Sequence, residues 1–376
     1  MLISFFNSHN IGDRLISFCL AKRYEHFYKV IKCSFEGSIE IWPESAYHYG
    51  IRDKVKRMYG CCVSYFQKQC HKSPQKEIML DPSIMHEIKM CDVIYMGGGN
   101  MLMYDYYHMF KRYLDYAKKC KKPVFGVDIG VGPFSDENQL INTCKCLDMC
   151  ECVTFRDKSS LELAKKYCVN DKLFLAIDPC FFLDKSKAKC VEKDIVAINM
   201  MDLSLDFATK ETQRTLLDRY ESLIKNIAEI TEKKIVLYST VYEDYFALKK
   251  LARRLRKSNT HIETRKVYTI DDLNELYQKT CYVIAMRMHA LILAYAYGIP
   301  HCGIAWQKKV NSFFEITNQK ENCFSIQYLD NNLDRIVSAF TKTQEEGFQK
   351  INISKEILDL GKVDLNIISS NKKVRI

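Results

Sequence analysis

The residues best suited to chemistry lie in the segment 281–300, where a cation and an imidazole follow an apolar run. Residues 282–285 are typical of a buried parallel strand, and residues 290–297 are typical of a helix. Arg287 and His289 therefore fall where a strand ends and a helix begins, which is where open α/β sheets bind ligands. Two interpretations fit: the pair faces a ligand, or Arg287 binds a surface carboxylate and His289 only caps the helix.

A second cation lies in an equivalent place. Arg156 follows the predicted strand 152–155, and Ser159 and Ser160 open the next predicted helix. Because this repeats the pattern of Arg287, we expect both guanidinium groups at the carboxyl ends of strands. Cations at such positions suit an anionic ligand.

Glycine-rich segments follow two further predicted strands. Residues 97–100 (GGGN) follow a strand at 91–96, and residues 128–133 (DIGVGP) follow a strand at 123–127. Glycines let the backbone approach a ligand or a neighbouring loop closely, although a tight strand-to-helix turn is the alternative. The segment 97–100 does not have the spacing of a dinucleotide-binding or Walker loop, so no nucleotide is assigned.

The first turn of the chain contains the carboxylate of Asp13. This turn follows a predicted strand at 2–6 and precedes a predicted helix at 14–28. Gly12 permits an unusual backbone turn, and Asp13 is well placed as the N-cap of that helix. In the functional interpretation, Asn10 and Asp13 instead face the crevice at the carboxyl end of the strand.

The composition indicates a well-packed globular chain with two domains. Its 376 residues exceed one ordinary core, and 47% of them are hydrophobic. The formal net charge is +10, with the lysines scattered along the chain. This favours an anionic ligand or an anionic membrane surface over nucleic acid, although basic solvated faces are also common without a partner.

The 17 cysteines show no regular framework, and we interpret them as free thiols in a reducing cytoplasm. The densest group, Cys144, Cys146, Cys150 and Cys152, lacks paired metal-binding spacing, so no metal site is predicted. We find no signal peptide pattern and no apolar stretch near the ~20 residues of a transmembrane helix.

Strands and helices alternate on both sides of the charged segment 184–194, which is the best candidate for a linker. The alternation predicts two doubly wound sheets whose strands end at one central cleft. We expect an N-terminal α/β domain at 1–183, a C-terminal α/β domain at 195–330, and a last helix and mobile tail at 331–376. The basic stretch 47–77 is interpreted as an insertion or a wall on the acceptor side.

In chain order these segments resemble the polysaccharide pyruvyl transferase family, from residue 3 to about residue 330. The resembling positions are NIGD at 10–13, Asp92, GGGN at 97–100, GVGP at 130–133, Arg156 and Asp157 with Ser160, Asp178 and Pro179, RMHA at 287–290, GIP at 298–300, and Lys309 with Val310. Each motif alone is weak, whereas the ordered set is specific. The chain departs from the family at Trp306-Gln307, where a Tyr-Asp pair is common, and at Met288, where leucine is usual.

The resemblance implies two Rossmann-like domains facing a central cleft, as in GT-B glycosyltransferases. It implies transfer of the enolpyruvyl group of phosphoenolpyruvate to two hydroxyls of a sugar, as a cyclic ketal. Phosphoenolpyruvate is then a co-substrate, and the chemistry requires no metal or other cofactor. The implied acceptor is a galactose-type sugar in a surface or capsular polysaccharide, or in a lipid-diphosphate-linked precursor at the cytoplasmic face of the membrane.

The chemistry of this transfer assigns roles to residues. Phosphoenolpyruvate carries roughly three negative charges, so Arg156, Arg287 and Lys309 are expected to hold it from both domains. His289 is the expected acid for the methylene carbon, and Asp13 the expected base for an acceptor hydroxyl. The further residues expected at the substrates are Asn10, Gly97, Gly98, Gly99, Asn100, Asp178 and Met288.

Two other functions stay open on the sequence. A nucleotide-sugar glycosyltransferase or epimerase of the same architecture would need a carboxylate that grips ribose, and none clearly follows a glycine loop in the second half. A non-catalytic sugar-binding protein on this fold would be free to lose its cations, whereas Arg156, Arg287, His289 and Lys309 are all present.

Overall fold

The computed structural model describes residues 1–43, 80–103, 106–183, 192–203, 210–241, 243–257 and 260–367. Two predictions, for the stretch 47–77 and for the tail from residue 369 onward, lie outside these ranges. The predicted linker lies outside them over residues 184–191.

The first half of the chain builds a six-stranded parallel sheet. Its strands are β1 (Leu2–Ser4), β2 (Lys32–Ser34), β3 (Ile94–Leu102), β4 (Val124–Val131), β5 (Cys152–Phe155) and β6 (Leu173–Leu175). Their order is β2-β1-β3-β4-β5-β6. The flanking helices are α1 (Ile11–Glu25), α2 (Pro82–Met90), α3 (Tyr107–Lys119), α4 (Glu137–Asp148) and α5 (Lys158–Tyr167), and a 3-10 helix, Pro179–Phe182, follows β6.

The second half builds another six-stranded parallel sheet. Its strands are β7 (Ile195–Asn199), β8 (Lys234–Ser239), β9 (Ile262–Lys266), β10 (Thr280–Ala285), β11 (His301–Ala305) and β12 (Cys323–Ser325). Their order is β12-β11-β10-β7-β8-β9. The flanking helices are α6 (Lys210–Ile230), α7 (Asp244–Lys257), α8 (Ile270–Lys279), α9 (Met288–Ala296), α10 (Lys308–Ile316) and α11 (Leu329–Glu345), and α12 (Lys355–Leu360) ends the series.

Local sequence explains why these elements form. Every residue of β7 is buried, as expected for a parallel strand covered on both faces. Leu216, Tyr220 and Ile224 form the apolar face of α6 that packs on this sheet. Helix α8 begins with a capping box: the Thr269 hydroxyl accepts from the Asp272 N–H, and the Asp272 carboxylate accepts from the Thr269 N–H.

In each sheet the direction of winding reverses beside a central strand. The chain passes from β1 to β2 on one side, and β3 pairs with the other side of β1. It likewise passes from β7 to β8 on one side, and β10 pairs with the other side of β7. Parallel sheets bind ligands outside the carboxyl ends of their strands at such reversals. The predicted doubly wound α/β class is confirmed.

The first glycine-rich segment lies inside a strand, and the second lies inside one as far as Val131, whereas loops after the strands were predicted. Gly97, Gly98 and Gly99 belong to β3, and Asp128 belongs to β4. Gly98 and Gly99 have φ angles of 85° and 93°, which residues with a Cβ rarely adopt. The register between β3 and β4 shifts after Gly99, so the strand bends and still continues pairing.

The last helices connect the two halves. Helix α11, the last helix that the sequence predicts, packs on the second sheet, where the rings of Phe340 and Tyr282 lie 5.2 Å apart. Helix α12 instead buries Ile357 in a hydrophobic cluster with residues of both sheets. Beyond it, Asp364 lies 3.6 Å from Arg23 of α1. The chain therefore returns to the first half, while the domain limits inferred from the sequence stay predictions.

Candidate active site

Helix α1 begins in the cleft, directly after the turn that follows β1. The Asn10 side chain accepts a hydrogen bond from the Gly12 N–H at 3.0 Å and caps the helix. The prediction that Asp13 is the N-cap is therefore wrong, and Asp13 is the third helical residue. The Ile11 N–H donates to the Thr240 carbonyl of the second half at 3.2 Å, so the start of α1 touches the second sheet.

His289 is the second residue of α9 and meets the start of α1 across the cleft. A Cβ added to Gly12 would lie 2.1 Å from His289 Nδ1, far inside contact distance. Gly12 is therefore required for a close approach and not, as predicted, for an unusual backbone turn. His289 Nε2 lies 3.6 Å from Asp178 Oδ2, which is longer than a hydrogen bond but close enough for electrostatic attraction.

Asn100, near the end of β3, joins two cations from different halves of the chain. Its Oδ1 accepts a hydrogen bond from Arg156 Nη2 at 2.7 Å and another from Lys309 Nζ at 2.6 Å. Arg156 Nη1 also donates to Asp178 Oδ2 at 3.0 Å in a buried ion pair. A Cβ at Gly130 would lie 2.4 Å from Asn100 Oδ1, so a side chain there would displace the amide. We call Asn100, Arg156, Asp178, His289 and Lys309 the cation cluster.

Burial and neighbouring charge set the protonation of this cluster. Burial, aided by the charge of Arg156, lowers the pKa of Lys309 to about 8. Burial disfavours the ionised form of Asp178, yet His289 and Arg156 hold the pKa of Asp178 well below its usual range. At neutral pH the cluster therefore contains an ionised Asp178 and a mostly protonated Lys309.

Asp13 lies at the edge of the cation cluster, where β3 passes the start of α1. Its Oδ2 accepts a long hydrogen bond of 3.5 Å from the Ser8 hydroxyl, and a Cβ at Gly99 would lie 3.4 Å from its Oδ1. Burial raises the pKa of Asp13 against the opposing effect of His289 and Arg156. A carboxylate with a raised pKa accepts a proton more readily, as a general base must.

Arg287 lies at the winding reversal of the second sheet, but a carboxylate binds its guanidinium. Arg287 Nε and Nη2 donate to the two oxygens of Asp244 at 2.8 and 2.9 Å. Asp244 is buried at the start of α7, whereas the sequence suggested a surface partner. Burial raises the pKa of Asp244, and the charge of Arg287 opposes that rise. Arg287 is thus paired with Asp244, while His289 belongs to the cation cluster.

Two cavities of the cleft are each lined by some of the residues that the sequence singled out. Asn10 and Arg287 line one cavity of about 570 Å³. Arg156, Met288 and Lys309 line the other, of about 370 Å³. Both cavities have walls from the two halves of the chain, as the predicted central cleft requires.

Of the three consecutive glycines, only Gly99 borders the site. A Cβ at Gly97 would lie 1.7 Å from the Val127 carbonyl oxygen, so this glycine serves the pairing of β3 with β4. A Cβ at Gly98 would lie 2.8 Å from the Ile16 side chain, so this glycine lets α1 pack on β3. Both positions thus have a packing role, and contact with a substrate stays a prediction for them.

Sequence reasoning missed two charged residues of the site. Asp244, the partner of Arg287, is marked in the sequence only as an acidic residue at the start of a helix after a strand. Arg14 is buried, donates to the Ser8 carbonyl at 2.8 Å, and also donates to the Tyr268 carbonyl of the second half. Its signal is equally slight, a cation beside Asp13. Arg14 fastens the turn after β1 to the second half.

Within the described ranges, no three His, Cys, Asp or Glu side chains come together as metal ligands would. Cys144, Cys146, Cys150 and Cys152 are buried free thiols. In the part of the chain that the structure describes, no helix has both the length and the apolar character needed to cross a membrane.

Comparison with known proteins gives one family match. A family model described as polysaccharide pyruvyl transferase matches residues 10–308. A search of curated proteins finds no match.

Solved structures with a similar fold cover nearly the whole chain. A putative UDP-N-acetylglucosamine 2-epimerase from Listeria monocytogenes aligns with a TM-score of 0.57 and 12% identity over 99% of this chain and 96% of that chain. The Methanocaldococcus jannaschii UDP-GlcNAc 2-epimerase, in complex with UDP-GlcNAc and UDP, aligns with a TM-score of 0.54 and 14% identity over 98% of both chains. Anabaena Alr3699/HepE, in complex with UDP and glucose, aligns with a TM-score of 0.51 and 9% identity over 98% of both chains. At these identities the likeness concerns the fold, and it confirms the predicted GT-B-like architecture.

Proposed function

Since this chain belongs to the polysaccharide pyruvyl transferase family, we propose that it transfers the enolpyruvyl group of phosphoenolpyruvate to two hydroxyls of a sugar. The product is a cyclic ketal on a galactose-type sugar of a surface or capsular polysaccharide, or of its lipid-linked precursor. The observation that carries the proposal is the convergence of Arg156 Nη2 and Lys309 Nζ, from different halves of the chain, on Asn100 Oδ1.

The donor needs concentrated positive charge, because it carries a phosphate and a carboxylate on three carbons. Arg156 and Lys309 donate to the same oxygen, so one small anion can contact both of their head groups. Contact with an anion would also favour protonated Lys309, whose pKa of about 8 otherwise reflects burial. Each charge-assisted contact contributes about 1.5–3 kcal/mol.

His289 is the acid of the proposed reaction, since it lies beside these cations and 3.6 Å from Asp178. It delivers a proton to the methylene carbon, which makes the adjacent carbon electrophilic. The first sugar hydroxyl attacks that carbon and gives its proton to Asp13. The bond between that carbon and the phosphate oxygen then breaks, and the released phosphate takes the proton from Asp13. The second hydroxyl closes the ring and returns a proton to His289, so ketal and phosphate are the only products.

The reaction changes no oxidation state, and the proposal needs no cofactor besides phosphoenolpyruvate. The free thiols suit a reducing compartment, so we assign the protein to the cytoplasm. A net charge of +10 suits contact with anionic lipid or a lipid diphosphate at the inner face of the membrane.

Calorimetric titration with phosphoenolpyruvate tests the donor site. Arg156→Ala and Lys309→Ala should each weaken binding about 10- to 100-fold, because each removes one charge-assisted contact. Lys308→Ala, which removes the exposed neighbouring lysine of α10, is the matched control and should bind as wild type. Wild-type affinity in both site variants would contradict the donor site.

His289→Gln separates donor binding from chemistry. This variant should bind phosphoenolpyruvate normally and lose transfer, measured as phosphate release in the presence of methyl galactoside. Unimpaired turnover would remove His289 as the acid. Thermal stabilisation by UDP-N-acetylglucosamine without any response to phosphoenolpyruvate would instead support a nucleotide-sugar epimerase or glycosyltransferase.

A further inference from the structure

The larger of the two cavities lies between the winding reversals of the two sheets. Ser8 and Asn10, after β1, line one side of its volume of about 570 Å³. Asp244 and Arg287, from the second half, line the other side. This is the position where paired α/β domains hold a substrate, and the volume suits a sugar.

An aromatic ring at the rim of this cavity is exposed yet held in place. Trp42 lines the cavity with 41% of its surface accessible. The buried side chain of Asn7 anchors the backbone around this ring. Its Oδ1 accepts from the backbone N–H of Trp42 at 2.9 Å, and its Nδ2 donates to the backbone carbonyl of Glu40 at 2.9 Å. The His9 ring, 5.9 Å from the indole, supports it further. An accessible indole on an anchored backbone offers a flat apolar surface to a ligand.

The charge of the cavity disfavours the anionic donor. Among the residues that the structure describes, its lining includes four carboxylates, Glu36, Asp202, Glu243 and Asp244, against one guanidinium, that of Arg287. The ion pair with Asp244 already compensates that guanidinium. Carboxylates accept hydrogen bonds from hydroxyl groups, so this lining suits a neutral polyhydroxylated molecule and repels a triply charged one.

We propose that this cavity is the acceptor subsite, in which a sugar ring stacks on Trp42 while the carboxylates accept from its hydroxyls. The assignment rests on the proposed function and divides the cleft, with the donor at the cation cluster and the acceptor beside it. The link between them is short: Ser8 lines the cavity, and its hydroxyl lies 3.5 Å from Asp13. A sugar in this cavity therefore brings a hydroxyl to Asp13. Arg287 is a wall of the acceptor subsite and not a donor ligand.

Tryptophan fluorescence tests the location, because the chain contains two tryptophans, Trp42 and Trp306. In a Trp306→Phe protein, Trp42 is the only reporter. Titration with a panel of methyl glycosides (galactose, glucose, mannose, N-acetylglucosamine) should shift its emission with at least one of them. In the reciprocal Trp42→Phe protein the same glycoside should leave the emission unchanged. No response of Trp42 to any glycoside would overturn the acceptor subsite.

Steady-state kinetics test the division of the cleft. Trp42→Ala should raise the KM for the responding glycoside about tenfold through lost stacking, with the KM for phosphoenolpyruvate within about twofold of wild type. Phe174→Ala, which removes an aromatic ring of similar exposure on β6, is the matched control and should change neither constant.

The two proposals fail separately. Transfer to a glycoside with an unchanged acceptor KM in Trp42→Ala would overturn the subsite and leave the transferase function standing. Binding of a glycoside at Trp42 without any transfer would overturn the transferase function and leave the sugar site standing. Absence of both would overturn both.

Discussion

His289 occupies the space that a side chain at position 12 would fill, because Gly12 has no Cβ. The start of α1 and the start of α9 approach so closely that a methyl group at position 12 would overlap the imidazole. His289 Nε2 also lies 3.6 Å from Asp178 Oδ2, and Arg156 holds that carboxylate in place with an ion pair. The imidazole is therefore positioned from two sides, by the shape of α1 and by charge.

Gly12→Ala should displace His289. We expect phosphate release to fall at least about tenfold and the free energy of unfolding to fall by about 1–3 kcal/mol, because the added methyl overpacks a close contact. Turnover assays and urea unfolding measure the two effects. In a His289→Ala background the same substitution should cost much less stability. Equal costs in both backgrounds would show that the two residues do not touch.

The positions of Arg156 and His289 were predictable, because strand ends and helix starts can be located in the sequence and parallel strands bring them together, whereas Lys309 was singled out by the family resemblance. The hydrogen-bond partners of the site's cations were not predictable. Asn100 accepts hydrogen bonds from two cations, and Asp244 binds Arg287, through contacts between residues distant in sequence. Periodicity and propensity carry no information on such contacts.

Strands β3 and β4 show why glycine patterns misplaced the element boundaries. A glycine run after an apolar run predicted a loop, because glycine weakens a strand on its own. In the sheet, Gly97 instead allows β3 to pass against the Val127 carbonyl, and the bend at Gly99 carries β3 on to Leu102. Tertiary packing therefore decided the length of both strands.

Asp128, in the middle of β4, should make stability depend on pH. Its carboxyl is fully buried, and burial, reinforced by the charge of Asp364, raises its pKa despite nearby Arg23. The folded state therefore holds this proton to a higher pH than the unfolded state, whose value is about 3.9. The free energy of unfolding should fall as pH rises between these two values.

Asp128→Asn removes this titration. Asparagine tolerates the φ of 49° at this position, so we expect a gain of about 1–3 kcal/mol at pH 8 and a flatter pH dependence, measured by urea unfolding at several pH values. Asp171→Asn, on the surface, is the control and should change neither quantity. An unchanged pH slope in Asp128→Asn would contradict the prediction.

The last segment of the described chain returns from the second half and contacts the first half. Helix α12 follows the second sheet, yet Gly361 lies against Phe182 of the first half, and Asp364 lies near Arg23. Alternation of strands and helices predicted the two sheets, but it could not predict this return. The return depends on the few apolar residues of a short helix.

Two neighbouring residues of α12 test this return. Ile357 is fully buried, whereas Leu358 is 43% exposed. Ile357→Ala should lower the free energy of unfolding by about 2–5 kcal/mol through the cavity it leaves. Leu358→Ala should cost less than about 1 kcal/mol. Equal costs in urea unfolding would mean that α12 does not pack on the body of the protein.

The cleft also receives the first turns of four helices. Helices α1, α5, α9 and α10 all begin there, next to Asp13, Arg156, His289 and Lys309. Each helix start carries roughly half a positive charge from aligned peptide dipoles, and this charge does not titrate. Lys309 loses its proton above a pH of about 8. The partial charges of the helix starts persist beyond that point, so this backbone contribution at the cation cluster remains in alkaline solution when the charge of Lys309 is lost.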